Sequence, residues 1–271
     1  MRLPPIHVEK VWGLNRLPAP FATDADKRIG EIWFEPPAAL PELLVKYIFA
    51  GEKLSVQCHP NDAQAAAAGY GTNGKDECWL VIDAEKGAKL GIGFEEGIDI
   101  DTMRSAALDG SIEGLLAWHN VAPGDFFYIP ANTVHAIGGG VSIIEIQQNL
   151  DITYRLYDYG RPRELHLDEG LRVASGAKFD TATHQKVPRK SSVTLVEGPY
   201  FRLDQVAGAP DEDLRNDYSK ALLVMPREGV VRVAGDDIAP GECALAGSID
   251  EIGFADDGVC LLAAPTRKEP T

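Results

Sequence analysis

The amino-acid sequence predicts a mainly β protein made of antiparallel jelly rolls or barrels. Short apolar or alternating segments recur along the chain, and turns that contain Gly or Pro separate them. Segments of high helix propensity are few and short. Neither a Gly-rich phosphate loop nor a Gly-x-Ser-x-Gly turn is present. These observations favour antiparallel sheets over a parallel α/β arrangement.

Length, composition and charge narrow the function classes. The chain has 271 residues, of which 45% are hydrophobic and 25% are charged, as in ordinary soluble globular proteins. It lacks the ~20-residue apolar run of a membrane span, and residues 1–7 lack the apolar core of a signal peptide. The formal net charge of −15 argues against nucleic acid as a partner. We therefore expect a cytoplasmic protein that acts on a small molecule, as a monomer or homodimer, with neither a nucleic-acid nor a membrane partner.

The cysteines agree with a reducing compartment. Cys58, Cys78, Cys243 and Cys260 show no Cys-x-x-Cys spacing. In such a compartment they are expected to be small buried hydrophobic residues rather than disulfide partners.

The first elements are predicted from residues 1–49. Residues 1 to about 30 are rich in Pro and are predicted to be an irregular wrapping segment, before a first strand at 30–34. Residues 43–49 form a strongly apolar strand with Lys46 inside it. A lysine within a strand either extends its ammonium to the rim or faces a site that holds an anion. The sequence leaves both interpretations of Lys46 open.

A polar face follows in the next strand. Alternation along residues 54–60 places Ser55, Gln57 and His59 on one side. A single strand histidine is more often structural than functional. Residues 75–81 also alternate, however, and they place Lys75 and Glu77 on a common face. A functional role for His59 therefore depends on what the fold brings next to it.

A second histidine completes a candidate metal site. His135 follows an apolar strand and a turn at residues 126–134. Together with Gln57, His59 and Glu77 it would supply two imidazoles, one carboxylate and one amide oxygen. This set suits a divalent ion of intermediate hardness, such as Zn²⁺.

The remaining elements are predicted to be short strands with a few helical insertions. Helices are expected at 62–68, 101–108, 111–116 and 168–174, and strands at 79–82, 89–94, 126–129, 141–149, 192–196, 200–203, 220–225, 229–233 and 260–262. We place a domain boundary near residue 185, between a catalytic domain with its N-terminal wrapping segment (1–185) and a smaller C-terminal β domain (186–271). Because no histidine follows His184, we expect no second metal site in the C-terminal domain.

Two spacings resemble the motifs of the cupin superfamily. Gly51 is followed after five residues by Gln57-Cys58-His59, which resembles the first cupin motif with glutamine in place of its first histidine. Gly124 is followed after five residues by Pro130-Ala131-Asn132 and, two residues later, by His135, which resembles the second motif. The resemblance implies cupin jelly-roll barrels in two cupin-like halves, of which the C-terminal one is degenerate.

Longer segments resemble type I mannose-6-phosphate isomerases in their short bacterial form. They lie at residues 54–62, 74–79, 126–137 and 145–158, within a region from about 12 to 173. The resemblance implies a zinc-dependent aldose–ketose isomerase of carbohydrate metabolism, which interconverts mannose 6-phosphate and fructose 6-phosphate through an enediol. Compared with the longer members, the chain lacks a helical insertion domain.

The same resemblance implies roles for individual residues. It implies one Zn²⁺ per chain, held by Gln57, His59, Glu77 and His135. It also implies that Arg155 is catalytic and that Lys46, Ser55 and Lys75 line the sugar-phosphate pocket.

The implied reaction moves a proton between two sugar carbons, so it needs a general base and a group that stabilises a developing oxyanion. Arg155 and the metal can stabilise the oxyanion. The base stays open between Lys75, His59 after a change of ligands, and a water held by the metal. Lys75 would need a depressed pKa for this role. Zinc could act as a Lewis acid or only orient the substrate.

The phosphate group requires local cations because the chain as a whole is acidic. The candidates are Lys46, Arg155, Arg161 and Arg163. The stretch 158–164 could equally be an exposed turn with solvated charges, an interpretation that is favoured for Arg163. We keep Arg161 as a predicted substrate-binding residue.

Two other functions fit parts of the pattern. An Fe²⁺ cupin oxygenase would use two His and one carboxylate, but Gln57 is not part of that set, and oxygen consumption with bound iron would identify it. A non-catalytic sugar-binding module would keep the fold without turnover. The presence of Arg155 and Lys75 beside all four ligands argues against such a module, and a coupled isomerase assay would separate the two.

Overall fold

The computed structural model describes residues 1–21 and 26–266, and within them the chain consists mainly of antiparallel strands. The predicted mainly β class is confirmed. Five short helices interrupt the strands: α1 (Asp62–Ala67), α2 (Ile100–Asp109), α3 (Ile112–Leu115), α4 (Leu167–Val173) and α5 (Glu212–Asp217). Short 3-10 turns lie at Thr181–Thr183 and Ile249–Glu251. Among the helices of the described ranges, none is both long and apolar enough to cross a bilayer.

The first twelve strands form two facing sheets. They are β1 (Pro5–Leu14), β2 (Ile29–Phe34), β3 (Leu43–Ala50), β4 (Val56–Cys58), β5 (Glu77–Ala84), β6 (Lys89–Phe94), β7 (Leu116–Asn120), β8 (Asp125–Ile129), β9 (His135–Ile137), β10 (Val141–Gln148), β11 (Tyr154–Tyr157) and β12 (His184–Lys186). The larger sheet has the order β1-β2-β3-β10-β5-β8-β12, and the smaller has the order β11-β4-β9-β6-β7.

The last eight strands form two further sheets. They are β13 (Val193–Glu197), β14 (Phe201–Ala207), β15 (Leu222–Glu228), β16 (Val231–Val233), β17 (Asp236–Ile238), β18 (Ala244–Ala246), β19 (Ile252–Gly253) and β20 (Val259–Pro265). Sheet membership changes between β12 and β13, but one buried core cluster contains both Phe126 and Phe201. The domain boundary near residue 185 stays a prediction, and residues 267–271 of the C-terminal domain lie outside the described residues.

The prediction of an irregular N-terminal segment is wrong. Residues 5–14 form β1, which pairs antiparallel with β2 at the edge of the larger sheet. The strand is mostly exposed or half-buried, so its sequence lacks the apolar alternation of a core strand. Pro5 is tolerated because it stands at the first position of an edge strand, where no ladder hydrogen bond is needed. Before this strand, the Leu3 amide donates to the Cys243 carbonyl at 2.9 Å, and the wrapping role of the segment stays a prediction.

The predicted insertion between His59 and Glu77 is helix α1. Asn61 caps it: its side chain accepts from the Gln64 amide at 3.0 Å, and the Gln64 side chain accepts from the Asn61 amide at 2.9 Å. Such a reciprocal capping box satisfies two backbone donors that the first helical turn leaves free. The helix cap is therefore fixed two residues after His59, and the helix begins at Asp62.

Strand order brings distant residues together inside the sandwich of the first two sheets. Glu145 on β10 is in register with Lys46 on β3 and with Trp79 on β5. In the facing sheet, Gln57 on β4 is in register with His135 on β9. Directly opposed residues point to the same side of a sheet, so these pairs line the interior.

A buried carboxylate ties these strands to the turn that precedes His135. The Asp76 side chain accepts from the Tyr128 hydroxyl at 2.6 Å and from the Ala131 amide at 3.0 Å. Its backbone carbonyl accepts from the Gln148 amide at 3.0 Å. Burial raises the pKa of Asp76, while the two donated hydrogen bonds oppose that rise. One residue thus connects β5, β8 and the end of β10.

We expect Asp76→Ala to destabilise the protein. It would leave the Tyr128 hydroxyl and the Ala131 amide buried without an acceptor, which costs about 2–4 kcal/mol of the free energy of unfolding. Denaturant unfolding measures the change. Asp83→Ala is a matched control, because Asp83 is an exposed residue of β5, the strand that directly follows Asp76. Equal stability of the two variants would contradict a structural role for the Asp76 carboxylate.

Candidate functional site

Three of the predicted metal ligands converge in the interior. The side chains of His59, Glu77 and His135 are at most 2% exposed, and their ligand atoms all lie within 4.8 Å of one another. His59 Nε2 is 3.6 Å from Glu77 Oε2, and His135 Nε2 is 3.4 Å from Glu77 Oε1. The fourth predicted ligand, Gln57, places its amide nitrogen 3.4 Å from His135 Nε2. A half turn of this amide would present its oxygen instead. The structure therefore brings the predicted set together.

Backbone carbonyls orient both imidazoles. His59 Nδ1 is 2.8 Å from the Ile152 carbonyl, and His135 Nδ1 is 2.9 Å from the Thr133 carbonyl. A carbonyl can only accept, so each Nδ1 carries a hydrogen and each Nε2 keeps a lone pair. The lone pair of His59 Nε2 accepts from the Lys75 ammonium at 3.2 Å. Burial and the charge of Lys75 lower the pKa of both histidines, that of His135 to about 4. Both rings are therefore neutral near pH 7, as metal ligands must be.

One turn residue fixes the two histidines relative to each other. Asn132 has a left-handed φ of 73°, which asparagine tolerates better than most residues with a side chain. Its amide and its side-chain Nδ2 donate to the His59 carbonyl at 2.8 and 3.1 Å. The same turn leads directly into His135. Both imidazoles are thus held before any ion binds.

The residues present fit a divalent cation. Glu77 is buried, and neither of its oxygens receives a hydrogen bond of regular geometry from the described residues. Its closest charge is the Lys75 ammonium, 3.0 Å from Oε2. Two neutral imidazoles, a carboxylate and an amide are oxygen and nitrogen donors of the kind that zinc binds. A bound cation would satisfy the two carboxylate oxygens that the protein leaves open.

Two lysines and a second carboxylate extend the site. Lys46 is 3% exposed, so it faces the interior rather than the rim. Its Nζ lies 3.3 Å from Asp151 Oδ1 and 3.7 Å from Glu145 Oε1. Glu145 also accepts from Trp79 Nε1 at 2.9 Å and lies 4.0 Å from Lys75 Nζ. Lys46, Glu145, Lys75 and Glu77 thus form, in this order, a buried row of side chains whose charges alternate in sign.

The row sets the protonation of Lys75. Burial lowers its pKa, but the attraction of Glu77 and Glu145 outweighs burial, so the pKa is raised. The pKa of Glu145 is also raised, by burial and by Glu77, although both lysines oppose the rise. A lysine base would need the opposite direction. The charges of the chain therefore favour Lys75 as an ammonium.

The central pocket opens onto this row. It is lined by Lys10, Trp12, Glu31, Lys46, Ile48, Leu54, Ser55, Gln57, Lys75, Trp79, Ile137, Glu145, Asp151, Thr153, Arg155 and Arg163. Ser55 donates to Gln57 Oε1 at 3.0 Å. Predicted residues Lys46, Ser55, Lys75 and Arg155 thus share one cavity.

The arginines differ in how they are held. Arg155 Nη1 donates to the Glu164 carbonyl, and its Nε is buried without an acceptor among the described residues. Arg163 lines the pocket, but Asp158 binds it through Nε and Nη2, both at 2.6 Å. Arg161 binds the Lys53 carbonyl at 2.9 Å, Asp158 at 3.2 Å and Glu52 at 3.2 Å. Because Arg161 is not among the described residues of the pocket wall, its contact with substrate stays a prediction.

Several pocket residues were not predicted from the sequence. Lys10 and Trp12 lie in the segment that was expected to be irregular, and Glu31 lies in the strand that follows. Glu145 lies within a predicted strand. The signal that could have identified Glu145 is a charge inside an apolar strand, the same signal that drew attention to Lys46.

The sequence comparisons point to one group of proteins. No family model matches the chain. Mannose-6-phosphate isomerase ManA of Bacillus subtilis (strain 168) is 38% identical over 208 residues, which are 73% of this chain and 65% of that protein. Mannose-6-phosphate isomerase of Streptococcus mutans is 40% identical over 167 residues, which are 59% of this chain and 52% of that protein. The chain thus spans less than two thirds of the length of these curated relatives.

The fold comparisons extend over nearly the whole chain. The crystal structure of the mannose 6-phosphate isomerase from Bacillus subtilis matches with a TM-score of 0.73 at 25% identity, over 97% of this chain and 98% of that chain. A variant of the phosphomannose isomerase from Salmonella typhimurium matches with a TM-score of 0.72 at 15% identity, over 97% and 98% of the two chains. At that identity the second match shows the fold alone.

Fold and site together define a cupin-like β protein with a candidate metal centre inside its N-terminal half. The sequence relatives show which cupin-like proteins this chain resembles. In sequence and in fold the chain is similar to mannose-6-phosphate isomerases, consistent with their cupin-like type I form. The resemblance inferred from the motifs is confirmed.

We expect His135→Ala to lose metal, because it removes one of two imidazole nitrogens from the cluster. Metal content after dialysis against a moderate chelator measures the loss. His7→Ala is the matched control, since His7 is an exposed residue of β1. Retention of the same amount of metal by both variants would remove His135 from the ligand set.

Proposed function

We propose that the protein is a zinc-dependent isomerase that interconverts mannose 6-phosphate and fructose 6-phosphate through an enediol. The observation that carries the proposal is the central pocket, whose wall contains Gln57, Arg155 and two buried lysines. One of these, Lys75, lies 3.0 Å from Glu77 of the His59–Glu77–His135 cluster. The names of the sequence relatives support the substrate. Gln57, His59, Glu77 and His135 would hold the ion. When bound there, zinc would supply positive charge that polarises or orients substrate oxygens.

Arg155 is suited to stabilise the enediol. Among the described residues, the buried Nε of its guanidinium has no acceptor. The guanidinium donates one hydrogen bond there, to the neutral Glu164 carbonyl. Burial lowers the pKa of Arg155, and the charge of Arg163 adds to this effect. A desolvated cation with free donors gains most when negative charge develops beside it. We therefore assign Arg155 to the oxygens that become negative during the reaction.

Proton transfer requires a group that can change its protonation state next to the reacting carbons. Lys75 is held as an ammonium, so it can donate a proton or a hydrogen bond to a sugar oxygen. Glu145 is a further candidate that the structure adds to those from the sequence. Its raised pKa brings it closer to the range in which a carboxylate can accept and return a proton. The base therefore stays open between Glu145, His59 after a change of ligands, and a water held by the metal.

The pocket also explains how an acidic protein can bind a phosphate sugar. Five residues of its wall are cationic and three are anionic, although the chain carries a net charge of −15. Recognition of the dianion is then a local property of the pocket rather than a result of long-range attraction.

Location and assembly remain predictions. The four cysteines are buried and free, which supports the expected cytoplasmic location. A monomer or homodimer, without nucleic-acid or membrane partners, is expected from the sequence alone.

We expect turnover of mannose 6-phosphate to depend on the metal. Prolonged chelation should abolish isomerisation in a coupled assay, and Zn²⁺ should restore it, because Gln57, His59, Glu77 and His135 leave the substrate-orienting charge to the ion. Full turnover by protein shown to be metal-free would contradict the zinc-dependent proposal. Binding of the sugar without turnover in the zinc-loaded protein would identify a sugar-binding module instead.

Arg155→Ala should keep its zinc and its fold while kcat falls roughly 10²- to 10³-fold, equivalent to about 3 kcal/mol of transition-state stabilisation. Arg155→Lys should recover only part of the rate, because an ammonium cannot reproduce the planar guanidinium. Steady-state kinetics and metal analysis of both variants measure these effects. Arg232→Ala is the control, since Arg232 is an exposed residue of β16. An unchanged kcat with a raised KM would make Arg155 a phosphate anchor instead.

A further inference from the structure

The N-terminal strand contributes to the wall of the central pocket. Pairing between β1 and β2 is regular from Pro5 to Val8, and the register shifts between Glu9 and Leu14. Such irregular pairing re-aims side chains and occurs often beside active sites. Within this stretch, the Trp12 carbonyl accepts from the Gly51 amide at 2.9 Å. The irregular stretch thus crosses toward the pocket and places Lys10 in its wall.

Lys10 differs from Lys46, Lys75 and Arg163 in how it is bound. Lys46 and Lys75 are deeply buried, and each lies within 4.0 Å of two carboxylates. Arg163 already makes a two-point contact with Asp158. Lys10 is 31% exposed, and its Nζ lies 3.1 Å from Glu31 Oε2. Because an ammonium has three donors, Lys10 keeps donors for a ligand that enters from solvent.

Glu31 does not depend on Lys10 alone. Its Oε2 also accepts from Trp33 Nε1 at 2.7 Å. The carboxylate therefore keeps a hydrogen-bond partner if Lys10 turns toward another anion.

The depth of these groups suggests how a sugar phosphate would lie. His59, Glu77, His135 and Lys75 are at most 4% exposed, so the reacting end of the substrate belongs at the bottom of the pocket. Its other end carries a phosphate of charge near −2, whose oxygens are strong acceptors. This end would then lie toward the opening, where the side chain of Lys10, at 31% exposed, is more exposed than those of Lys46, Lys75 and Arg163.

We propose that Lys10 binds the phosphate group of the substrate, so that the N-terminal strand sets the preference for phosphorylated sugars. The inference rests on the proposed isomerase function and adds a specificity-determining residue to it. Lys10 would act in ground-state binding rather than in the proton transfer. Its loss should then appear in KM and not in kcat.

A second explanation of any effect of Lys10 must be separated from this one. Without Lys10, the negative charge of Glu31 would face the phosphate directly and repel it. A paired variant, Lys10→Gln with Glu31→Gln, removes both charges and keeps two side chains that can hydrogen bond. The net charge of the pocket is unchanged in this variant. It loses affinity only if the ammonium itself contacts the phosphate.

The experiment compares zinc-loaded wild type, Lys10→Gln, Glu31→Gln and the paired variant. We expect KM for mannose 6-phosphate to rise about 10- to 100-fold in Lys10→Gln and in the paired variant, with kcat changed less than about twofold. The inhibition constant of inorganic phosphate should rise in parallel, and Glu31→Gln should not weaken binding. Lys27→Gln, Glu9→Gln and their pair are matched controls, since Lys27 and Glu9 form an exposed ion pair 3.8 Å apart near the same strand. These controls should keep the wild-type KM.

Two results would overturn the inference: an unchanged KM in Lys10→Gln, or recovery of the wild-type KM in the paired variant. Calorimetric binding of mannose 6-phosphate and inorganic phosphate repeats the comparison without turnover. If the wild type binds both through Lys10 but does not isomerise the sugar, the proposed function fails and the phosphate contact stands. If the wild type isomerises the sugar and Lys10 has no effect on either ligand, only the phosphate contact fails. Unfolding temperatures check that each variant is folded, and Lys10→Arg should retain most of the affinity.

Discussion

The structure of the N-terminal half depends on the mutual compensation of four buried charges. Burial of a single lysine or carboxylate is unfavourable because the group loses its hydration, and an opposite charge nearby offsets this cost. Lys46, Glu145, Lys75 and Glu77 alternate in sign at separations of 3.0 to 4.0 Å. Such compensation requires β3, β10 and the start of β5 to be neighbours in one register. The sheet order is therefore tied to the electrostatics of the site, since a slip of one residue would direct these charges into the apolar core.

The C-terminal half supports the opposite face of the same sheet. Tyr128, which donates to Asp76, packs on Phe201 with ring centroids 6.0 Å apart. Asp76 in turn accepts from the Ala131 amide, in the turn that leads to His135. Contacts of the second half thus reach the candidate metal centre through one carboxylate. This path gives the C-terminal half a structural role although it contributes no described residue to the wall of the central pocket.

The parts of the site that the sequence predicts are those encoded by local spacing. Alternation is enough to place Gln57 and His59 on one face, and the turn residues before His135 mark the end of a strand. The row of charges is different, because Lys46, Glu145 and Lys75 meet only through the non-local order β3-β10-β5. No periodic pattern in the sequence encodes that order of strands. Lys10 was missed for another reason: an exposed edge strand has little apolar alternation by which to recognise it.

The two arginines near residue 160 show a further limit. Tyr159 and Gly160 both have left-handed φ values, 55° and 75°, so the chain reverses between Asp158 and Arg163. The geometry of this turn and the hydrogen bonds to Asp158 determine which guanidinium faces the pocket. Strand alternation does not determine it. The interpretation of this stretch as solvated turn residues does not describe Arg163, which lines the pocket.

The position of β1 at the edge of its sheet has a consequence for the energetics of recognition. An edge strand has a hydrogen-bonded neighbour on one side only, and such elements open locally at a lower free energy than the central strands. Lys10 and Trp12 of β1 line the pocket, so a ligand that contacts their side chains binds only when β1 is paired with β2. Ligand binding and strand docking are then linked equilibria, and each stabilises the other by mass action. This edge strand would then gain order from the substrate itself.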